Sequence, residues 1–265
     1  MPHDLQALID PVRQIAQQAG AQILKIYGTV YEVAEKADQS PLTEADLVAH
    51  RTILDGLSQL TPDIPILSEE SSDIPFDQRS QWHEYWLVDP LDGTREFISR
   101  NGEFTVNIAL IRDHKAVLGV VHIPTQKTDY FGWENGGAYV QYEDMPLRAI
   151  HPHPYTAGPV RVVGSRSHRG SSLDQYLANL GDHELVSMGS SLKLCLVAEG
   201  KADIYPRLGP TSEWDTAAAQ AVVECAGGHV VDTHGKPLRY NTKEEYLNPF
   251  FLVYGDAGHD WLRYL

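Results

Sequence analysis

Apolar residues recur at helical spacing in the first part of the chain. Those that share one predicted face between residues 4 and 27 are Leu5, Leu8, Ile9, Val12, Ile15, Ala16, Ala19, Ile23 and Ile26. The spacing predicts an amphipathic helix that faces the core and ends at Gly28. A strand is expected over Val30–Lys36. Thr43 is a residue type that caps helices, and it predicts the start of a second helix that reaches about Ser58.

The middle of the chain consists of short runs rich in β-branched and aromatic residues, which are typical of strands. Strands are expected over Ile64–Leu67, Tyr85–Val88, Thr105–Ile111, Ala116–Ile123, Thr128–Trp133 and Ala138–Tyr142. The sequence Glu134-Asn-Gly-Gly137 indicates a hairpin between the last two. These segments predict a meander of neighbouring strands, so the first part of the chain is expected to be an α+β lobe.

Beyond His151-Pro-His-Pro154 the pattern changes, and the two prolines suit an extended connection. Strands are expected over Arg161–Gly164, Glu184–Met188, Val230–Val231 and Phe250–Val253. Helices are expected over Leu173–Leu180, Ser191–Glu199, Thr216–Ala226 and Asp260–Leu265. Alternating strands and helices predict an α/β lobe. The chain is therefore expected to form two lobes, residues 1–154 and 155–265.

One turn carries the strongest chemical signal. The strand Tyr85–Val88 arrives at Asp89, and Pro90 is expected to stop it because proline cannot donate to a sheet ladder. Asp89 and Asp92 would point to opposite faces of a continuing strand. Bent over Pro90, the two carboxylates can converge.

The residues after this turn suit a phosphate. Gly93 and Thr94 lead into a helix predicted over Arg95–Asn101, with Gly102 as its stop. A helix start presents free backbone N–H groups, and a cation held by the aspartates would neutralise the phosphate charge. The alternative is a solvated turn in which an aspartate only caps the helix.

Further carboxylates occur at the ends of predicted elements. Asp46 lies in the first turn of the second helix, where it could simply stabilise the helix dipole. Glu69 and Glu70 follow a buried strand and repel each other unless a cation or hydrogen bonds compensate. Asp215 is a candidate N-cap of the helix predicted from Thr216. Whether these groups meet Asp89 and Asp92 depends on the fold.

Composition limits the possible partners. The 265 residues are 42% hydrophobic and 22% charged, which is ordinary for a globular protein. The formal net charge of −15 argues against binding nucleic acid polymers through a basic surface. A small phosphorylated substrate remains compatible with an acidic protein, provided that divalent cations lie between the two.

The cellular setting is indicated by features that the sequence lacks. No apolar run is long enough to span a bilayer, and the start has no signal-peptide pattern. Cys195 and Cys225 lie within apolar helical patterns, which favours buried, reduced thiols. A cytoplasmic protein is expected. Monomer and homodimer both stay open, as does peripheral association with the inner membrane.

The order of these acidic residues along the chain resembles the inositol monophosphatase superfamily of lithium-sensitive, magnesium-dependent phosphatases. The segments that carry the resemblance are Asp46, Glu69-Glu70, Asp89-Pro-Leu-Asp92-Gly-Thr94 and Trp214-Asp215. The resemblance covers nearly the whole chain. Segments that resemble its CysQ-type branch, the 3'(2'),5'-bisphosphate nucleotidases, are Phe97–Ala109, Gly164–His168, Gly189–Lys193 and Arg207. The resemblance implies a layered αβαβα fold with the active site between two lobes.

The resemblance also implies roles for these residues. Glu69, Asp89 and the Leu91 carbonyl would hold a first Mg²⁺, and Asp89, Asp92 and Asp215 a second. Glu69 would also contact a third, weaker ion through water, which makes it part of the catalytic set. Thr94, oriented by Asp46, would position the attacking water, while the Gly93 and Thr94 amides bind the phosphate being removed.

Substrate choice is expected to come from the second lobe. By resemblance, the residues that contact the nucleotide are His168, Ser190, Lys193, Arg207 and Asp215. The expected reaction is release of the 3'-phosphate from 3'-phosphoadenosine 5'-phosphate in sulfate assimilation. A broader inositol or sugar phosphatase on the same metal site is the alternative. His168 and Lys193 could equally be ordinary loop and helix positions.

Two further hypotheses come from other classes. Asp-Gly-Thr also occurs in phosphatases of the haloacid dehalogenase type. Their chemistry needs two aspartates that are two positions apart in the sequence. Here Asp89 and Asp92 are three positions apart, with Pro90 between them. A non-enzymatic anion-binding module would require the carboxylates to have no catalytic use.

Overall fold

The structure is a computed structural model that describes residues 3–29, 33–35, 41–165 and 170–265. A strand, β1, spans Val33–Glu35, so only part of the strand predicted at Val30–Lys36 falls within the described residues. It pairs with β2, Pro41–Thr43. The predicted contact residue His168 lies outside the described residues.

Both predicted N-terminal helices are confirmed. Helix α1 spans Leu5–Tyr27, and the Asp4 side chain caps it by accepting from the Gln6 N–H at 3.1 Å. Helix α2 spans Glu44–Leu60 and is capped by Thr43, as predicted. The side chain of Asp46 completes this cap by accepting from the Thr43 N–H, so its carboxylate is fixed in the first turn of α2.

The predicted meander is a seven-stranded sheet in the order β3-β4-β5-β6-β7-β8-β9. Its strands are β3 Ile66–Ser68, β4 Glu84–Asp92, β5 Thr105–Arg112, β6 Lys115–Ile123, β7 Thr128–Trp133, β8 Gly137–Tyr142 and β9 Arg148–Ala149. A 3₁₀ turn, Glu69–Ser71, follows β3 directly, and a short helix, α3, spans Phe76–Arg79. Strand β3 is parallel to β4 and all later neighbours are antiparallel.

The expectation that Pro90 stops the strand is wrong. Strand β4 continues through Pro90, and its register with β5 shifts between Asp89 and Asp92. This irregularity lets the strand pass a residue that cannot donate a ladder hydrogen bond. The following helix, α4, is also shorter than predicted, Thr94–Ile98. Arg100 at φ 57° takes the left-handed conformation before Gly102 is reached, which ends the helical geometry early.

The second part of the chain forms a five-stranded sheet in the order β11-β10-β12-β14-β13. Its strands are β10 Val160–Ser165, β11 His183–Met188, β12 Ile204–Arg207, β13 His229–Asp232 and β14 Phe251–Tyr254. Its helices are α5 Ser171–Leu180, α6 Leu192–Ala198 and α7 Glu213–Cys225, and a 3₁₀ turn at Trp261–Tyr264 replaces the closing helix expected at Asp260–Leu265. The sequence did not predict β12, because Ile204-Tyr-Pro-Arg207 is short and contains a proline.

The two sheets and the helices form layers. Residues of α1 and α2 share one hydrophobic cluster with alternate residues of β4, β5 and β6. The other face of the same strands packs against α6 and α7, which also meet residues of the second sheet. On its far side that sheet packs against α5 and Trp261. The order helix, sheet, helix, sheet, helix confirms the predicted layered class.

Residues 151–156 form neither helix nor strand. The division into lobes at residue 154 stays a prediction, because the central cluster takes residues from both sides of it. Both cysteines are free, as expected, although Cys225 is only partly buried. Among the described residues, no helix is both long and apolar enough to cross a membrane.

Candidate active site

A cavity of about 240 Å³ opens where β4 ends and α4, α6 and α7 begin. Ten of the residues that line this cavity were predicted from the sequence to be site residues. They are Glu69, Asp89, Leu91, Asp92, Gly93, Thr94, Ser190, Lys193, Arg207 and Asp215. Asp46 lies directly behind Thr94. The layered fold thus brings the ends of several elements to one place.

Three carboxylates converge in this cavity. One oxygen from each of Asp89, Asp92 and Asp215 lies within 4.8 Å of the others. Asp89 and Asp92 lie on either side of the register shift near the end of β4, and α7, packed on the sheet, supplies Asp215. A cluster of oxygen ligands from carboxylates is the donor set that Mg²⁺ prefers. These residues fit a divalent cation.

The electrostatics of the cluster support this fit. Burial raises the pKa of Asp215 to about 8, and the charges of Asp92 and Glu69 act in the same direction. Burial also raises the pKa of Asp92, although Lys193 and the Ser191 N–H oppose the shift. Close, buried carboxylates resist ionising together, and an adjacent cation favours their charged forms. Metal binding would therefore offset the cost of assembling the cluster.

Asp215 does not cap α7, contrary to the sequence expectation. The N-cap is Ser212, and Asp215 is the third residue of the helix, where its Oδ2 accepts from the Ser212 N–H at 2.9 Å. A carboxylate at this position satisfies a donor at the helix start and also benefits from the helix dipole. The capping geometry fixes the side chain that α7 presents to the other carboxylates.

Glu69 lies in the 3₁₀ turn after β3 and lines the same cavity. It does not belong to the group of three whose oxygens converge, within the part of the chain that the structure describes. Its charge nevertheless contributes to raising the pKa of Asp215. Leu91, buried between the two aspartates of β4, also lines the cavity.

Thr94 and Asp46 form the pair that the resemblance implied. The Thr94 hydroxyl donates to Asp46 Oδ1 at 3.2 Å and lies 3.4 Å from the Leu91 carbonyl oxygen. The other oxygen of Asp46 accepts from the N–H and the hydroxyl of Thr43, both at 2.7 Å. Asp46 is 1% exposed, and the cap of α2 holds it so that Oδ1 faces Thr94.

Gly93 has a conformation that other residues rarely adopt. It stands immediately before α4 at φ 92°, and a side chain there would also meet the Glu103 carbonyl and Glu96 Oε2, both at 3.3 Å. Glycine therefore allows the chain to turn directly from Asp92 into α4. This turn places Thr94 beside the carboxylate cluster.

Asp92 is held by three residues whose role the sequence did not indicate. Its Oδ2 accepts from the Ser191 N–H at 2.5 Å, from Asn107 Nδ2 at 3.3 Å and from the Thr105 hydroxyl at 3.4 Å. The Ser191 hydroxyl lies 2.9 Å from both the Thr105 hydroxyl and Asn107 Oδ1. A signal was available, because Thr105 and Asn107 are polar residues within the buried part of a strand whose other buried residues are apolar.

We expect Thr105→Val to weaken Mg²⁺ binding by about tenfold, the lower end of the effect of losing an outer partner of a metal ligand. The change keeps the shape of the side chain and removes one donor to Asp92. The shift of the unfolding midpoint with added Mg²⁺ would measure it. Thr128→Val is the matched control, since Thr128 is also a buried strand residue whose hydroxyl donates to a carbonyl, that of Gln126. An equal loss of the Mg²⁺ response in both variants would contradict the role of Thr105 in holding Asp92.

The second part of the chain contributes a buried cation. Lys193 is 6% exposed, and burial lowers its pKa to about 8 while the charge of Asp92 opposes the shift. Its ammonium donates to the Ser190 carbonyl and lies 5.6 Å from the centre of the Tyr205 ring. The predicted Lys193 is thus inside the cavity rather than on a solvated helix face.

Arg207 also reaches the cavity, at the end of β12. Its guanidinium donates to the Thr211 hydroxyl and to the Pro210 carbonyl. These contacts hold a second positive charge at the cavity wall. Lys193 and Arg207 together give the cavity two positive charges beside the carboxylate cluster, which suits a substrate with more than one phosphate.

Comparisons with known proteins identify the family of the chain. The model of the inositol monophosphatase family matches residues 4–252. The 3'(2'),5'-bisphosphate nucleotidase CysQ of Escherichia coli (strain K12) is 53% identical over 249 residues, which cover 93% of this chain and 99% of that protein. The protein of the same name from Haemophilus influenzae is 38% identical over 255 residues, which cover 96% of this chain and 95% of that one.

Among solved structures, CysQ from Bacteroides thetaiotaomicron superposes with a TM-score of 0.84 at 43% identity, covering 96% of this chain and 98% of that chain. The chain belongs to the inositol monophosphatase family. The family match overturns the haloacid dehalogenase alternative, which would require a different fold.

Proposed function

We propose that this protein is a Mg²⁺-dependent 3'(2'),5'-bisphosphate nucleotidase. It would convert 3'-phosphoadenosine 5'-phosphate to AMP and phosphate in sulfate assimilation. The observation that carries the proposal is the convergence of Asp89, Asp92 and Asp215 beside the pair formed by Thr94 and Asp46. The names of the relatives from Escherichia coli and Haemophilus influenzae support the choice of substrate.

The carboxylates define where cations would bind. Glu69, Asp89 and the Leu91 carbonyl would hold one Mg²⁺, and Asp89, Asp92 and Asp215 a second, with a third, weaker ion reached from Glu69 through water. Bound Mg²⁺ would neutralise phosphate charge and lower the pKa of the attacking water. Asp89 is therefore the residue on which the site depends most.

Thr94 would orient the attacking water. Its hydroxyl proton is directed to Asp46 Oδ1, so the lone pairs of Thr94 Oγ1 are available to accept a hydrogen bond from that water. The water would attack phosphorus directly as the bond between phosphorus and the ribose 3'-oxygen breaks. One proton of the water would end on the ribose 3'-oxygen, and its oxygen would stay on the released phosphate. The Gly93 and Thr94 amides, at the start of α4, would bind the phosphate oxygens.

Substrate choice would depend on the two positive charges that line the cavity. Ser190, Lys193 and Arg207 would bind the second phosphate and the ribose, while Tyr205 and Phe251 give the cavity an apolar surface for the adenine. Lys193 is the main determinant in this proposal because its charge is buried among the other polar groups. The role of His168 stays a prediction, since it lies outside the described residues.

The substrate test compares Mg²⁺-dependent phosphate release from 3'-phosphoadenosine 5'-phosphate and from inositol 1-phosphate. We expect a higher kcat/KM for the bisphosphate, because inositol 1-phosphate has no second phosphate for Lys193 and Arg207. A clear preference for inositol 1-phosphate would support the broader phosphatase instead. The same assay with Lys193→Met keeps a long side chain without charge and should lower the preference.

Lithium inhibition is also expected, since Li⁺ would compete for the second cation position. Phosphate release at fixed substrate and Mg²⁺ should fall as Li⁺ is raised to millimolar concentrations, and K⁺ at equal ionic strength is the control. An enzyme insensitive to Li⁺ would contradict the proposed second site.

We also propose that the protein works in the cytoplasm. The two free cysteines, Cys195 and Cys225, support a reducing compartment.

A further inference from the structure

The segment Gly189–Ser191, between β11 and α6, is held at both of its ends by carboxylates from the first part of the chain. The Gly189 N–H donates to Glu103 Oε2 at 2.7 Å, and the Ser191 N–H donates to Asp92 Oδ2 at 2.5 Å. Hydrogen bonds to ionised acceptors are stronger than those between neutral groups. The two carboxylates therefore fix the course of this segment along the cavity wall.

The fit between Gly189 and Glu103 is close. A β-carbon at Gly189 would lie 2.7 Å from Glu96 Cγ and 2.9 Å from the Glu103 carbonyl oxygen, so a side chain there would displace the segment. Only glycine allows the backbone N–H to approach Glu103 in this way. The position of Gly189 is thus set by the loop that precedes β5.

Ser190 lies between the two held amides in a left-handed conformation, φ 46°. Its hydroxyl is buried and has no hydrogen-bond partner among the residues that the structure describes, and Ser190 lines the cavity. A buried hydroxyl without a partner is costly unless a ligand supplies one. The Ser190 carbonyl also accepts from the Lys193 ammonium, so the segment places a hydroxyl and a cation together.

We propose that Glu103 is a positioning residue for nucleotide binding: by holding the Gly189 amide it keeps Ser190 strained and presents the Ser190 hydroxyl and the Lys193 ammonium to the substrate. Glu103 would not touch the reacting atoms. The inference rests on the proposed function in one respect, namely that a phosphate or ribose of the bisphosphate is what this segment binds.

The test uses Glu103→Ala and Glu103→Gln in the full-length protein. We expect Glu103→Ala to raise KM for 3'-phosphoadenosine 5'-phosphate about tenfold, the scale of one hydrogen bond to a charged group, with kcat and the Mg²⁺-induced shift of the unfolding midpoint unchanged. Glu103→Gln keeps an acceptor oxygen and should restore much of the lost affinity. Glu134→Ala, which removes a partly exposed glutamate paired with Lys115, is the control and should leave KM unchanged.

Amide hydrogen exchange tests the contact without any substrate. Glu103→Ala should increase exchange of the Gly189 amide, while strands β4 and β5 keep their protection. If exchange of the Gly189 amide were unchanged in Glu103→Ala, or were faster while KM stayed the same, the positioning role would be overturned. An equal fall in kcat and in the Mg²⁺ response of this variant would also overturn it. If the wild-type enzyme did not hydrolyse the bisphosphate, the proposed function would fail together with the substrate named here, and exchange would still decide whether Glu103 holds the segment.

Discussion

Asp89→Asn is expected to reduce phosphate release by more than about 100-fold, beyond the range seen when only an outer partner of a metal ligand is lost. In the proposed arrangement Asp89 is shared by two cations, so no other single substitution should disturb both. Its oxygen belongs to the convergent group formed with Asp92 and Asp215. An amide in its place carries no charge and is a poorer ligand for Mg²⁺.

The fold should survive this substitution. Asp89 Oδ1 accepts from the Leu91 N–H at 3.1 Å, and the amide oxygen of asparagine can accept the same hydrogen bond. The amide nitrogen would add a hydrogen-bond donor beside the carboxyl groups of Asp92 and Asp215. In the absence of metal we therefore expect an unfolding midpoint equal to or above that of the wild type, and a much smaller increase on adding Mg²⁺.

Asp203→Asn is the matched control. Asp203 is also a buried carboxylate, 5% exposed, but its partner is Arg161, whose backbone N–H donates to Asp203 Oδ2 at 2.8 Å. This variant should lower the unfolding midpoint while turnover and the Mg²⁺ response remain. If Asp89→Asn kept ordinary turnover, or retained the full Mg²⁺ stabilisation, the proposed cation sites would be wrong.

Local patterns predicted most of the elements, because helix period, strand alternation and caps depend on nearby residues. Thr43 as a cap and the turn into Thr94 are examples in which a few adjacent residues determine the geometry. Pro90 shows the limit of such reasoning. Its missing N–H was expected to end the strand, but the register shift beside Asn107 of β5 accommodates it, and that depends on a strand further along the chain.

The assembly of the site could not be read from local patterns alone. Nothing around Asp215 indicates that α7 packs on the first sheet, and the resemblance to a family supplied that link. The contacts of Ser191 and Glu103 with distant partners were not expected at all, since each joins residues more than 80 positions apart. Such contacts depend on how the two sheets pack against the helices between them. The periodicity of apolar residues along the sequence does not specify this packing.

Thr94→Val is expected to lower kcat between about 10²- and 10⁴-fold, the usual contribution of a positioned proton acceptor, while Mg²⁺ binding is retained. The change removes the hydroxyl that donates to Asp46 Oδ1 but keeps the size of the side chain. Thr94 contributes no oxygen to the convergent group formed by Asp89, Asp92 and Asp215. The Mg²⁺-induced shift of the unfolding midpoint should therefore stay close to that of the wild type.

Stability should change little, because Asp46 keeps both hydrogen bonds from Thr43 and α2 keeps its cap. Thr94→Ser retains the hydroxyl and should keep most of the activity, which separates the role of the oxygen from that of the methyl group.

Steady-state kcat and KM for the wild type, Thr94→Val and Thr94→Ser at saturating Mg²⁺ give the comparison. Equal turnover in Thr94→Val and Thr94→Ser would show that the hydroxyl does not orient the water. A parallel loss of Mg²⁺ binding in Thr94→Val would instead assign Thr94 to the cation site, whereas the proposed geometry requires kcat to fall with the metal still bound.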